Sequence, residues 1–407
     1  MRYSIHFKKG INEQLEHLAT EMRDWEDTPR IDENEKENIK KAICQFNHTI
    51  QADPFKIGGV DGSGDFPSVT YADSFVYTTV AHGTIYRSDL ISGLKEEEPS
   101  FDPIIHFSWF PEEQEKRVRS WDKTFEALTG LQINDVISSS DYLELKSSFN
   151  KRTYSISNLH QKLIRPHASD SGNIAIQLRS VGELSAALQL IKNGENVAYA
   201  LIDGTFSLPT VTRSSDGTLF YEHLKRLCCV AARKKGVGFF ALSKSHGLPG
   251  IENIEEIVRK KFELEKGGKA EHWFLRLPTY GVESWSLSIT DGRLLPPPGA
   301  ITYLVRFHKN TPIFRLDMDR EYWSKYIQSK SKEEMRQKER RIFEHLDYAS
   351  HDQRCYGYPY PIKAGHDRAS LTKGERGTLR KQIIDAAVRA GMKRQLFRNA
   401  SIATGHE

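Results

Sequence analysis

A chain of 407 residues is long enough for one large decorated core or for two domains. With 58 Lys and Arg against 54 Asp and Glu, its formal charge of +4 does not mark a nucleic-acid binder, although a local basic face on such a chain would still attract phosphate. No apolar run could span a bilayer, the Met1-Arg2-Tyr3-Ser4 start lacks a signal-peptide core, and four scattered cysteines exclude a disulfide framework, so the expectation is a cytoplasmic protein with no membrane attachment.

The first fifty residues are charged and helix-like, with apolar positions at helical spacing from Ile11 to Trp25 and a similar stretch from Asn34 to Ile50. A strand over Phe55 to Val60, an acidic elbow and a strand over Ser68 to Val80 follow. The second strand carries Val69, Tyr71, Phe75, Tyr77 and Val80 largely on alternate positions. His82-Gly83-Thr84 reads as a turn into Ile85-Tyr86-Arg87. From about Ser88 to about Ser169 no clean pattern holds, which suits an insertion, with a helix over Asp141 to Phe149.

Regularity returns at Ile174. Leu178, Val181, Leu184, Leu188 and Ile191 outline an amphipathic helix that Asn193-Gly194 ends. Val197 to Ile202 is a short continuous apolar run, the mark of a covered strand. A helix over Leu224 to Lys234 carries Cys228 and Cys229 as packing residues, and Val237 to Leu242 is a further strand leading into Ser243-Lys244-Ser245-His246. A charged helix near Glu252 to Glu265 precedes a hairpin of Ile301 to Phe307 with Ile313 to Leu316. One long helix is expected over Arg320 to Tyr348, then a Tyr- and Pro-rich loop from Tyr356 to His366, then a basic helix over Leu371 to Met392. This alternation predicts an α/β protein with a mixed β-sheet flanked by helices.

Two acidic elbows stand out: Gly59-Val60-Asp61-Gly62-Ser63 and Leu201-Ile202-Asp203-Gly204-Thr205. In each, an apolar run ends in Asp-Gly and a hydroxyl residue. Asp-Gly alone is ordinary turn chemistry. Repeated at the ends of two adjacent central strands, it could bring two carboxylates onto one divalent metal, which suits phosphodiester hydrolysis. Glu183 lies off the apolar stripe of its helix, and spacing alone reads it as a surface partner of Arg179. Lys244 after its strand is either a phosphate contact or a solvent-facing lysine. His366 is either a ligand or acid/base, or a plain loop histidine. Arg306 and Arg315 could face phosphates or be strand-surface arginines, and Tyr358 and Tyr360 could stack on bases or pack beneath the prolines. The chain has no GxxxxGK[ST] loop, no GxSxG elbow, no HExxH helix and no zinc-ligand spacing among its fifteen histidines.

Taken in order, five stretches resemble the NurA family of nucleases: Gly59 to Ser63; Arg179 to Glu183; Ala200 to Thr205; Ser243-Lys244; and Tyr358-Pro359-Tyr360-Pro361 with His366. They run from about Phe55 to about Leu371. Here Thr205 stands where Ser is usual, Gly365 precedes His366, and the segment between the first elbow and Glu183 is long. The resemblance implies an RNase H-like fold with helical N- and C-terminal additions. It also implies cleavage of DNA with Mn²⁺ or Mg²⁺, a homodimer, and work beside a HerA-type hexameric ATPase in DNA end processing or defence against foreign DNA. By this likeness Asp61, Glu183 and Asp203 are metal-binding carboxylates, His366 is a further metal ligand or acid/base, and Lys244 contacts phosphate.

The expected organisation is a helical segment over 1–54, a nuclease core over 55–371 with an insertion at about 88–169, and a basic helix and tail over 372–407. Two alternatives stay open: a non-catalytic adaptor that guides DNA on an ATPase ring, and an RNase H-like enzyme acting on RNA.

Overall fold

A twelve-stranded sheet organises the chain in the computed structural model, which describes residues 5–25, 31–48, 53–64, 67–97, 102–137, 163–164, 171–206, 218–248, 250–279, 281–290, 295–297 and 299–398. Its strands in chain order are β1 (Cys44–Gln45), β2 (Lys56–Ser63), β3 (Val69–Tyr71), β4 (Ser74–Asp89), β5 (Gly93–Glu97), β6 (Ile104–Phe110), β7 (Val197–Asp203), β8 (Gly238–Ser243), β9 (Trp273–Arg276), β10 (Ala300–Arg306), β11 (Phe314–Asp319) and β12 (Phe397–Arg398). The spatial order is β1-β9-β10-β11-β8-β7-β2-β4-β3-β12, with β5 and β6 also paired to β4. At the centre β2, β7 and β8 run parallel, and antiparallel pairs extend the sheet on both sides. The sheet is thus mixed and flanked by helices, as the alternating pattern predicts.

The helices that matter below are α1 (Ile5–Trp25), α2 (Glu33–Ala42), α3 (Gln114–Thr129), α4 (Ser171–Asn193), α5 (Phe220–Lys235), α6 (Ile251–Lys261), α7 (Arg320–Tyr326), α8 (Lys332–Ala349), α9 (Tyr360–Ala369) and α10 (Lys373–Arg389). Successive strand side chains point to opposite faces, so β2 and β7 feed two cores at once. Val60, Ala200 and Ile202 join Leu178, Val181 and Leu184 of α4 and Cys228 and Cys229 of α5. Ile57, Tyr199 and Leu201 join Phe343 and Leu346 of α8 and Ile362 of α9 on the other face. A third cluster, including Ile39, Ile254, Trp273 and Leu304, binds α2 and α6 to the β9–β10 end.

The structure departs from the sequence reading in several places. His82-Gly83-Thr84 is not a turn but the middle of β4, because β2 pairs with β4 along its whole length and Asp61 lies opposite His82. The stretch read as an insertion supplies β5, β6 and α3, while its expected helix at Asp141 to Phe149 falls outside the described residues. The single helix expected over Arg320 to Tyr348 is two. Asp319 caps α7 and Ser331 caps α8, each accepting from a backbone N–H three residues on, and these caps restart the chain between them. His366 is not in a loop: Pro361 sits in the first turn of α9, where its missing N–H costs nothing, and the helix carries through Ala369. Among the described residues, no helix is long and apolar enough to cross a membrane.

Candidate active site at the carboxyl edge of the sheet

Asp61, Asp203 and Lys244 stand at the carboxyl ends of the three parallel strands, the edge of an open α/β sheet where ligands characteristically bind. The register Val60↔Ile202 sets Asp61 and Asp203 side by side on adjacent strands. Pleating turns both the same way, onto the face that carries Ile57 and Leu201 and that α9 covers.

Helix α9 reaches this face because β2 has no side chain in its path. A Cβ on Gly59 would lie 2.2 Å from the backbone of Pro361, and a Cβ on Gly365 only 3.1 Å from the Asp61 backbone nitrogen. The Thr84 hydroxyl donates to the Pro361 carbonyl at 2.9 Å and the Ser63 hydroxyl to the Ala369 carbonyl at 2.6 Å, which ties both ends of the helix down. Gly365 is therefore the residue that lets His366 meet Asp61. The His366 Nδ1–H donates to Asp61 Oδ2 at 2.8 Å, and its Nε2 pairs with the Ser370 hydroxyl at 3.2 Å. The other Asp61 oxygen accepts from the Gly62 N–H at 2.7 Å.

Glu183 comes from α4, on the opposite face. It enters where Gly62 leaves room: a Cβ there would lie 2.8 Å from Glu183 Cγ. Arg179 Nε pairs with Glu183 Oε1 at 3.3 Å, the ion pair that spacing foresees, yet Glu183 is no surface residue, with only 16% of its side chain exposed. Burial pushes its carboxyl well above the usual carboxylate range; Arg179 opposes the shift, and the charges of Asp61 and Asp203 add to it. Burial also raises Asp203, against the pull of Lys244, whose Nζ stands 3.8 Å from Asp203 Oδ2. Lys244 lies over the ring of Tyr358, 4.6 Å from its centroid. Tyr358 is buried, and burial together with the charges of Asp203 and Asp61 lifts its phenol well above its ordinary value.

The structure thus brings together all five residues singled out from the sequence. Four others are not placed as phosphate or base contacts. Arg306 is buried in an ion pair with Glu255 at 2.6 Å, and Arg315 is buried against Asp317 at 2.7 Å. Tyr358 is closed off from base stacking, and Tyr360 packs edge-on against Tyr86 with Arg354 over its face. Sequence reasoning missed Tyr358 as a neighbour of the carboxylates, and it missed what Gly59, Gly62 and Gly365 make possible. The signal was the spacing of glycines around Asp61.

No family model matches the chain, and no curated protein does. Over nearly its whole length it is similar to solved structures of NurA. The NurA nuclease from Sulfolobus solfataricus is 12% identical, with 97% of this chain and 99% of that one covered, at a TM-score of 0.46. A structure of NurA with manganese is 13% identical, covering 95% and 99%, at 0.38, and one of NurA bound to dAMP and manganese is 13% identical, covering 96% and 98%, at 0.36.

Proposed function

We propose that this chain is a metal-dependent nuclease of NurA type, hydrolysing phosphodiester bonds of DNA at the carboxyl edge of its sheet. The observation that carries the reading is the convergence of Asp61, Asp203 and Glu183 from β2, β7 and α4, with Lys244 beside them. Burial, with the neighbouring carboxylate charges adding to it, raises Glu183 and Asp203 against the pull of Arg179 and Lys244, and a cluster of hard oxygen donors of this kind suits Mg²⁺ or Mn²⁺. Asp61, Asp203 and Glu183 would hold such an ion. When bound it supplies Lewis-acid activation of the phosphodiester and stabilises the charge that develops on it.

The remaining residues have parts that follow from their contacts. His366, both of whose ring nitrogens are engaged, holds Asp61 in one orientation, in the manner of an outer-shell partner. Lys244, 62% exposed, offers its ammonium to a phosphate oxygen, and Tyr358 beneath it restricts where that ammonium stands. Arg179 balances part of the carboxylate charge and works against the burial that raises Glu183.

A homodimer is supported by apolar side chains left in solvent: Ile11, Leu15, Leu18 and Met22 at helical spacing on α1, and Ile105, Phe107 and Trp109 on alternate positions of β6. The basic helix α10, with Arg376, Arg380, Lys381 and Arg389, is a natural track for the DNA backbone. The HerA-type ATPase partner and a role in end processing or defence rest on the sequence resemblance. The test is digestion of end-labelled single-stranded DNA, double-stranded DNA and RNA with Mn²⁺ or Mg²⁺. DNA should be cleaved, and Asp61→Asn or Asp203→Asn should lower the rate by at least about 10²-fold, the scale of losing one well-placed charge contact. Full activity in both variants would refute the site; RNA-only cleavage would move the substrate; binding of DNA with no cleavage would favour the adaptor.

A further inference from the structure

A second group of metal-ligating side chains lies at the other end of the sheet. His48 follows β1, His272 immediately precedes β9, Asp347 is in the last turn of α8, and His351 is four residues further on. One ligand atom from each lies within 4.8 Å of all the others. Four strands separate β9 from β2, so at about 4.8 Å per step the two strands stand about 24 Å apart along the sheet.

The centre of the group is Asp347, whose side chain is 1% exposed. Its Oδ2 accepts from His48 Nδ1 at 2.7 Å. Its Oδ1 is buried with no hydrogen-bond partner, and so is His272 Nε2, 3.6 Å away. His351 Nδ1 stands 3.4 Å from the same Oδ1 and 2.8 Å from the Asp347 carbonyl oxygen. That backbone bond is the kind that fixes the ring of a ligating histidine. The three imidazoles crowd together, with centroids 4.1 Å apart for His48 and His351, 5.3 Å for His48 and His272, and 5.7 Å for His272 and His351.

Hydrogen bonds alone leave this arrangement incomplete. Three charged imidazoles at such separations would repel one another, and the buried carboxylate keeps one oxygen unpaired. Two facing buried polar atoms without partners are costly in the same way. A single divalent ion answers all three problems, because it takes the carboxylate oxygen and one nitrogen from each ring.

We propose that His48, His272, Asp347 and His351 form a structural Zn²⁺ site. Three imidazoles and one carboxylate make a four-donor set that suits tetrahedral zinc, and four protein ligands leave the closed sphere of a structural site. The role follows from what the ligands join. Among the described residues, β1 pairs with the sheet at two positions, Cys44↔Phe274 and Gln45↔Trp273. An ion here fastens that short edge strand to the start of β9 and the end of α8, and so holds the N-terminal helices on the body.

The test uses the full chain. Purified without added metal, it should carry about one zinc per chain by elemental analysis, and the Asp61→Asn/Asp203→Asn double variant should carry the same amount. After chelation, Co²⁺ should bind with the visible bands of a four-coordinate ion and be displaced by Zn²⁺. His48 is half exposed, so His48→Ala should fold and bind Co²⁺ at least tenfold more weakly, and His351→Ala should lose the bands. Chelation should lower the Tm of the wild-type chain and leave that of His48→Ala unmoved. A wild-type chain that binds neither Zn²⁺ nor Co²⁺ overturns the proposal. So does a Co²⁺ spectrum that survives His48→Ala and His351→Ala but vanishes in the Asp61→Asn/Asp203→Asn variant, since that signal belongs to the other site.

Discussion

Gly62 and Glu183 occupy one space. The α-carbon of Gly62 faces the Glu183 side chain so closely that a Cβ would sit 2.8 Å from Glu183 Cγ and 3.2 Å from its Oε1. A carboxylate from one face of the sheet reaches two carboxylates on the other only because this strand position has no side chain.

Gly62→Ala is therefore expected to displace Glu183 and lower turnover on the order of 10²-fold, the effect of an ångström-scale misplacement. Circular dichroism should show the fold retained. Combined with Glu183→Gln the loss should not add, because both changes remove the same interaction. Additive losses would separate the two residues.

Gly59→Ala is a different case, since its Cβ would meet the Pro361 backbone at 2.2 Å and a backbone cannot rotate away. Overpacking of this kind costs about 1–3 kcal/mol or more. The expected result is a lower urea midpoint with an unchanged m-value, together with reduced activity, because α9 is lifted and takes His366 with it. A midpoint equal to that of the wild-type chain would show that α9 does not press on β2.

For the His366–Asp61 pair, His366→Ala should lower activity or metal affinity by about 10–100-fold, the range for an outer-shell partner. Ser370→Ala should cost less, as it frees only the far nitrogen of the ring. Metal titrations followed by cleavage rate will show whether the loss lies in affinity. If Asp61→Asn and His366→Ala each weaken metal binding and the double variant is no weaker than Asp61→Asn, His366 acts through Asp61.

Stability should fall with acid in a defined window. His345 is buried, stacked on Phe55 and bonded to the Tyr199 hydroxyl at 2.8 Å; burial, with Arg341 adding to it, takes its pKa from 6.5 down to about 4. With the folded pKa below the unfolded one, the unfolded chain gains a proton first as pH falls, so stability is lost from about 6.5 down to about 4. Between pH 7 and pH 5 this one group should contribute a loss of about 2 kcal/mol. His345→Gln, which keeps a partner for Tyr199, should flatten that part of the pH dependence in urea titrations. An identical pH profile in the variant would contradict the assignment.

Local sequence was enough for some of this and not for the rest. Asp61 and Asp203 were legible because everything that positions them is contiguous: an apolar run long enough for a covered strand, then Asp-Gly where the strand stops. Their neighbouring positions followed from the strand–helix alternation. Glu183 could not be placed by periodicity, because an apolar stripe marks only one buried side. The described part of α4 is buried on most sides, between the sheet, α3 and α5, so even Gln177 and Ser185 are buried. His366 looked like a loop residue until α9 formed around Pro361, and the contact with Asp61 needed Gly59 to lie against Pro361 and Gly365 against Asp61 across two segments some three hundred residues apart. His48, His272 and the Asp347–His351 pair show only one local signal, the four-residue step between the last two. What gathers them is the antiparallel pairing of β1 with β9 and the way α8 lies across that end of the sheet. Chain-local chemistry set the strand ends and their charges, and long-range packing decided which charges meet, because only packing brings distant backbones close enough for side chains to share a ligand.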